Sequence, residues 1–229
     1  MVFATSHRNI GKIMRYLYFC LILFLTSCIE IIEDLKFNLD GSGTFKYVIN
    51  LSGSKTKVTS ILALDSLYGE KVPKVSDIRT KIGEFKRTLQ EQEGISNVLI
   101  TEDYTNYIIK FQCDFKSVEN LEQALKNSIK KLYQNNYYEY DWVSFKGKAL
   151  TRKTPIFYLD DIRKFGDRDI DKLKTGTYTS VTRFSTKIDT FENKNSLRSK
   201  SNMALMIKTT PDLLLNDQTI LNNKIILKK

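Results

Sequence analysis

Histidine is all but missing from this chain of 229 residues; the one copy is His7. Hydrolytic triads and imidazole-based zinc sites need histidine among their partners. Cysteine is scarce as well, at positions 20, 28 and 113, so there is no Cys-x-x-Cys for redox chemistry or for zinc. Ten glycines and three prolines exclude a collagen-like or linker-rich chain. Those glycines form neither Gly-x-Gly-x-x-Gly nor Gly-x-x-x-x-Gly-Lys-Ser/Thr, which removes the common nucleotide-binding fingerprints. The longest apolar run, Tyr16–Leu25, has ten residues, about half of the roughly 20 that a membrane-spanning helix needs. With 41% hydrophobic and 27% charged residues, the chain can still bury one globular core.

The amino terminus has a different character. Residues 1–27 contain no acid, and their charges are Arg8, Lys12 and Arg15. A basic start, a short apolar run and then small residues is the layout of a secretory signal peptide. Starting at Met14 would give a complete short leader by itself, so residues 1–13 add nothing to this reading. The run ends in Leu25-Thr26-Ser27-Cys28, which resembles the lipobox of bacterial lipoproteins. That resemblance implies a diacylglyceryl group on the Cys28 thiol, cleavage between Ser27 and Cys28, and acylation such as palmitate on the new terminus. Ile29 follows where such families often carry Asp for inner-membrane retention, so the resemblance favours the outer membrane and leaves the face open.

Division at Cys28 gives a signal peptide, residues 1–27, and one lipid-anchored domain, residues 28–229. Its composition then changes. Three basic residues leave with the leader, so the formal charge falls from +10 to +7. His7 and Cys20 leave too, and Cys28 is taken by lipid. Cys113 remains as the only thiol, which cannot form an intramolecular disulfide. No catalytic residue, metal ligand or cofactor follows from such a chain. Hydrolysis by a carboxylate pair stays formally open, since it needs only two acids, and any chain with 26 acids offers two.

Local patterns predict an α+β fold: an antiparallel sheet of sequential hairpins with about three helices on one face. Period-two alternation in 34–39 and 45–51, around Asp40-Gly41-Ser42-Gly43, predicts a hairpin. Asn38, Asp40 and Ser42 could be read as a calcium loop, but the later Glu of that loop is absent, so the turn is preferred. Helices are expected at 54–67, from a Ser76 cap to Gly94, and after a Ser117 cap. Strands are expected at 97–102, 107–115, 137–146, 149–152, 178–184, 203–209 and 224–227, with a short helix at 169–174. Cys113 falls on the apolar side of its strand, where a thiol acts as a small hydrophobe. Apart from the short helix at 169–174, residues 156–176 are the least readable part of the chain.

Two constellations invite a functional reading. Tyr138, Tyr140 and Trp142 share one face of the aromatic strand and would stack on a ligand if exposed. The simpler expectation is a sheet core. Residues 194–229 hold seven Lys and Arg against two Asp. Nucleic acid is not expected for an exported protein; attraction to anionic lipid is the alternative to a solvated face. At most five residues, Ile29–Glu33, separate Cys28 from the first strand and span at most roughly 18 Å, so the domain is expected close to the membrane.

The lipobox followed by Ile29-Glu30, then Glu33-Asp34-Leu35, Asp40-Gly41-Ser42-Gly43-Thr44-Phe45 and Asn50-Leu51-Ser52 resembles exported lipoproteins of Bacteroidota-type bacteria that have no assigned activity. The match extends to Tyr178, Val181, Arg183 and Phe184. A strand pair joined by Asp-Gly-Ser-Gly is distantly similar to LppM-like lipoprotein domains. Both resemblances imply an α+β fold and offer no catalytic residues. The expected function is a non-enzymatic envelope lipoprotein, a binding or scaffolding module. The alternatives are a lipid-handling protein with an apolar groove and a carboxylate-dependent hydrolase of an envelope polymer. Expected partners are membrane lipid through Cys28 and envelope proteins, with the oligomeric state left open.

Overall fold

In the computed structural model, the described residues are 29–133, 141–154 and 173–228. The leader, Cys28, Tyr138, Tyr140 and most of the expected helix at 169–174 lie outside them.

The chain opens on the expected hairpin. Strand β1 (Glu30–Phe37) pairs antiparallel with β2 (Gly43–Asn50), with Phe37 opposite Gly43 and Leu35 opposite Phe45. The turn is closed by polar side chains: Asp40 Oδ1 accepts the Ser42 N–H at 3.0 Å and the Ser42 hydroxyl at 2.7 Å. Gly41 takes φ +84°, a conformation that other residues adopt only with strain. Gly43 is required for space. A Cβ there would sit 1.9 Å from the Lys36 carbonyl oxygen and 2.6 Å from the Phe115 ring.

The helix expected over 54–67 is shorter, α1 (Lys55–Leu62), because Ser66–Leu67 and Glu70–Lys71 form a small hairpin, β3 and β4. Tyr68 and Gly69, both at positive φ, make its two-residue turn. Helix α2 (Val75–Gln90) starts ahead of the expected Ser76 cap. The Asp77 carboxylate reaches back to the Lys74 N–H at 3.1 Å, so the acid in the first turn sets the start. Strands β5 (Ile95–Asp103) and β6 (Ile108–Phe115) form the second expected hairpin, with a bulge at Asn97. Helix α3 (Val118–Tyr133) is capped as expected, Ser117 Oγ accepting the Asn120 N–H at 3.2 Å.

The remaining strands are β7 (Val143–Lys146), β8 (Ala149–Arg152), β9 (Thr177–Phe184), β10 (Ile188–Phe191), β11 (Leu197–Arg198), β12 (Ala204–Thr209) and β13 (Asn223–Leu227). Helix α4 (Pro211–Asn216) lies between β12 and β13, with Thr210 Oγ1 accepting the Leu213 N–H at 3.3 Å.

Besides the β3–β4 hairpin, the described strands form two sheets, not the one that sequential hairpins predict. The larger has the order β11-β12-β9-β1-β2-β6-β5, and the smaller β10-β13-β8-β7. Among the described residues every pairing is antiparallel except β1 with β9, which run parallel from Glu30–Thr177 to Phe37–Phe184. A parallel pair needs a long crossover, and this one encloses much of the chain. The fold is thus mixed α and β, mostly antiparallel. One face of the large sheet carries Leu35, Phe37, Phe45, Phe111 and Cys113, and these join one core with Leu89 of α2, Leu121 and Leu125 of α3, and Leu150, Ile188 and Ile225 of the small sheet. The third helix of the expected cover does not join them, since α1 has no buried residue. Phe37 sits at the centre. It stacks on Phe145 at 5.5 Å and Phe184 at 5.8 Å, and meets the edge of Phe115 at 5.8 Å. Each such pair adds about 0.5–1.5 kcal/mol beyond burial.

Candidate functional site

Alternation along β1 puts Ile31, Glu33, Leu35 and Phe37 on the covered face. Three are apolar, and the fourth is a carboxylate. Alternation along β8 likewise places Arg152 beside Leu150, facing the large sheet. Glu33 and Arg152 are each 2% exposed, and Arg152 Nη2 lies 2.7 Å from Glu33 Oε1. The other carboxylate oxygen accepts the Tyr178 hydroxyl at 2.6 Å. The guanidinium also lies over the Trp142 ring, 5.7 Å from its centre. A charge layer therefore separates the main core from a smaller apolar cluster around Tyr178, Ile207 and Leu221.

Burying two charges costs several kcal/mol per ion, which mutual attraction only about recovers. The arrangement is better understood as a positional lock: each charge accepts one seat, so the small sheet is registered on the large one. Arg152 Nε and Nη1 have no hydrogen-bond partner. Among the described residues they are the unspent charged donors of the interior.

A second carboxylate does local work. Glu122 of α3 accepts the N–H groups of Trp142 at 2.7 Å and Val143 at 2.9 Å, fixing the chain as it enters β7. Burial pushes its carboxyl above the usual range, against the pull of those two N–H groups. Nearby, Lys126 Nζ donates to Asp141 at 2.8 Å, and this bond holds the Asp141 carboxyl below its usual range.

Of the three aromatics singled out in the sequence, Trp142 is 1% exposed and packs 6.2 Å from Phe45. It fills the core and presents no face to a ligand. Tyr138, Tyr140 and the Ser27–Cys28 junction lie outside the described residues. Cys113 is fully buried, and burial, helped by the Asp114 charge, pushes its thiol up to about 12. The Asp40 loop is committed to its own turn, which lowers the Asp40 carboxyl through its bonds to Ser42. The ion pair was not singled out from the sequence. Its signal is Glu33 two residues before Leu35 and four before Phe37, on an otherwise apolar face.

Just upstream of Glu33, the Ile29 carbonyl accepts the Thr177 N–H at 2.7 Å. Hydrogen bonding to the sheet thus starts at the residue after Cys28. The expected tether of up to five residues is already part of the fold. No described helix is long and apolar enough to cross a membrane.

No family model matches the chain, and no curated protein matches it. Among solved structures, it is similar to the folded domain of LppM from Mycobacterium tuberculosis, determined by NMR. That likeness has 8% identity and a TM-score of 0.41 over 88% of this chain and 91% of the other. It is a distant likeness.

Proposed function

We propose that this chain is an envelope lipoprotein anchored through Cys28: a binding or scaffolding module without catalysis, in the outer membrane. The observation that carries this reading is the Leu25-Thr26-Ser27-Cys28 sequence at the end of a basic and apolar leader; the Ile29–Thr177 hydrogen bond adds that the sheet begins next to that cysteine. A lipid on Cys28 would hold the start of β1 at Glu30 within about 7 Å of the anchored residue, two Cα–Cα steps. Two or three acyl chains make such anchoring stable where one alone is marginal.

The interior acids Glu33 and Glu122 do not supply a hydrolytic pair. A carboxylate-pair hydrolase must present an acid and a base to its substrate. Glu33 is bound by Arg152 and Tyr178, and Glu122 by two backbone N–H groups. Both are committed to holding the fold. Envelope proteins are the partners this reading favours, and nucleic acid is not among them.

Labelling with radioactive palmitate tests the proposal. The wild-type chain should take up label and fractionate with outer membrane, while Cys28→Ala should take up none and keep its leader. Equal labelling of the two chains would overturn it.

A further inference from the structure

Several elements meet at the end of the large sheet where β1 begins. Glu30 lies opposite Asn50 of β2 and Thr177 of β9, and Asn50 lies opposite Ile108 of β6. The excursion between β2 and α2, residues 51–74, starts and finishes at this end. It leaves with the Leu51 N–H donating to the Tyr107 carbonyl at 3.0 Å, and the Thr59 and Tyr107 hydroxyls lie 2.8 Å apart. It returns into α2, whose Arg79 lies over the Tyr104 ring of the β5–β6 turn, 5.1 Å from its centre. Helix α4 begins here too: Thr209 pairs with Tyr178, and a Cβ on Gly176 would sit 3.1 Å from Pro211. The Asp40 turn marks the opposite end, about 25 Å away along the eight residues of β1.

No residue from Leu51 to Lys71 is buried, although Val58, Ile61, Leu62, Leu64, Leu67 and Tyr68 are among them. Helix α1 has eight residues, and an isolated helix below about 12–15 residues is marginal in water. The β3–β4 hairpin, with strands of two residues each, has no more support of its own. Neither element gains from the fold the apolar cover that normally holds such short pieces. Leu64 is 46% exposed, and Tyr68, in the hairpin turn, 66%. Leu213 of α4 is 48% exposed at the same end of the sheet. Single exposed leucines on well-packed elements are ordinary. Leu64 and Tyr68 differ, because they belong to a stretch with no core. Charge does not set this stretch apart either: three lysines stand against Asp65 and Glu70 between Leu51 and Lys71.

We propose that this end of the domain rests on the bilayer that holds Cys28, with Leu64, Tyr68 and Leu213 entering the headgroup boundary. The inference deepens the anchored reading and rests on it. Cys28 directly precedes Ile29, whose carbonyl is bonded to Thr177 at this end, so a lipid there brings the bilayer to these side chains and not to the Asp40 turn. Tyrosine suits that level, since its ring is apolar and its hydroxyl stays wet. The bilayer surface supplies α1 and the β3–β4 hairpin with the apolar cover that the fold does not. The contact is apolar, so it needs no anionic lipid.

The test uses the full chain purified from membranes and reconstituted into phosphatidylcholine vesicles that carry a nitroxide on some headgroups. Four variants, Leu64→Cys, Tyr68→Cys, Leu213→Cys and Leu39→Cys, are each labelled with a thiol-reactive fluorophore. Cys113 is buried and a lipidated Cys28 has no free thiol, so the label goes to the new cysteine. Emission from the first three should fall by about half or more. Leu39→Cys, at a position 65% exposed in the opposite turn, should keep its emission. The pattern should persist in high salt; its loss there would overturn an apolar contact. Equal quenching at all four positions, or none at the first three, would overturn the proposal. So would shielding of those three in detergent that grows with protein concentration, which marks a second copy as the occupant. Flotation with the vesicles reports the anchor separately. A chain that floats with unquenched labels contradicts the contact alone, and a chain that does not float contradicts the anchor and the contact together.

Discussion

The two faces of the large sheet are built from the same strands and differ in how they treat charge. On the covered side, Leu35, Phe37, Phe45 and Cys113 are closed off from water, and the one carboxylate among them, Glu33, has Arg152 and Tyr178 as partners. On the other side, Lys36 and Lys46 alternate with those same residues and stand without ion pairs. Burial demands a partner because a lone charge in the interior costs several kcal/mol. Exposure demands none, so an unpaired lysine is cheap and stays available for something outside the fold. A substitution on the covered face should therefore act on stability, and one on the open face on contacts.

The largest effect should come from leaving a buried charge alone. Arg152→Ala removes the partner of Glu33 and should cost about 3–5 kcal/mol in urea unfolding. Replacing both Glu33 and Arg152 by leucine should recover most of that loss, which separates the lock from mere packing. Phe37→Ala, in the centre of the ring cluster, should cost about 3–5 kcal/mol with no change in pH dependence.

Glu122 gives a smaller effect with a definite sign. Its folded carboxyl binds a proton more readily than the unfolded one, so its contribution is most favourable at low pH. That contribution falls as pH rises above the ordinary value of 4.5. Glu122→Gln keeps an oxygen for the Trp142 and Val143 N–H groups and carries no charge. The variant should gain stability relative to wild type as pH climbs through that range, measured as paired unfolding curves; a constant difference would contradict this assignment.

Cys113 should stay silent to a thiol reagent in the folded protein and react only on unfolding, because burial removes both access and thiolate. The smallest stability effect belongs to the open face. Lys46→Glu with Lys110→Glu should change unfolding free energy by no more than about 0.5 kcal/mol per site. A large destabilisation there would break the contrast between the faces.

What the sequence revealed was local. The first hairpin, the β5–β6 hairpin and the Ser117-capped helix each announce themselves by alternation, a turn or a cap within a few residues. The start of α2 was displaced because Asp77, not Ser76, supplies the capping oxygen. The parallel pairing of β1 with β9 joins residues about 147 apart, Glu30 with Thr177, and nothing in either strand names the other. The same holds for the candidate site. Glu33 falls in the expected tether because the readable alternation starts only at Asp34, and its partner Arg152 lies on a four-residue strand of another sheet. Only the crossing of the two sheets makes the pair visible.

The mass of the amino-terminal peptide from membrane-extracted protein tests the central claim most directly. The account predicts a peptide that begins at Cys28 and carries the added mass of a diacylglyceryl group. A peptide that begins elsewhere, or an unmodified Cys28, would contradict it.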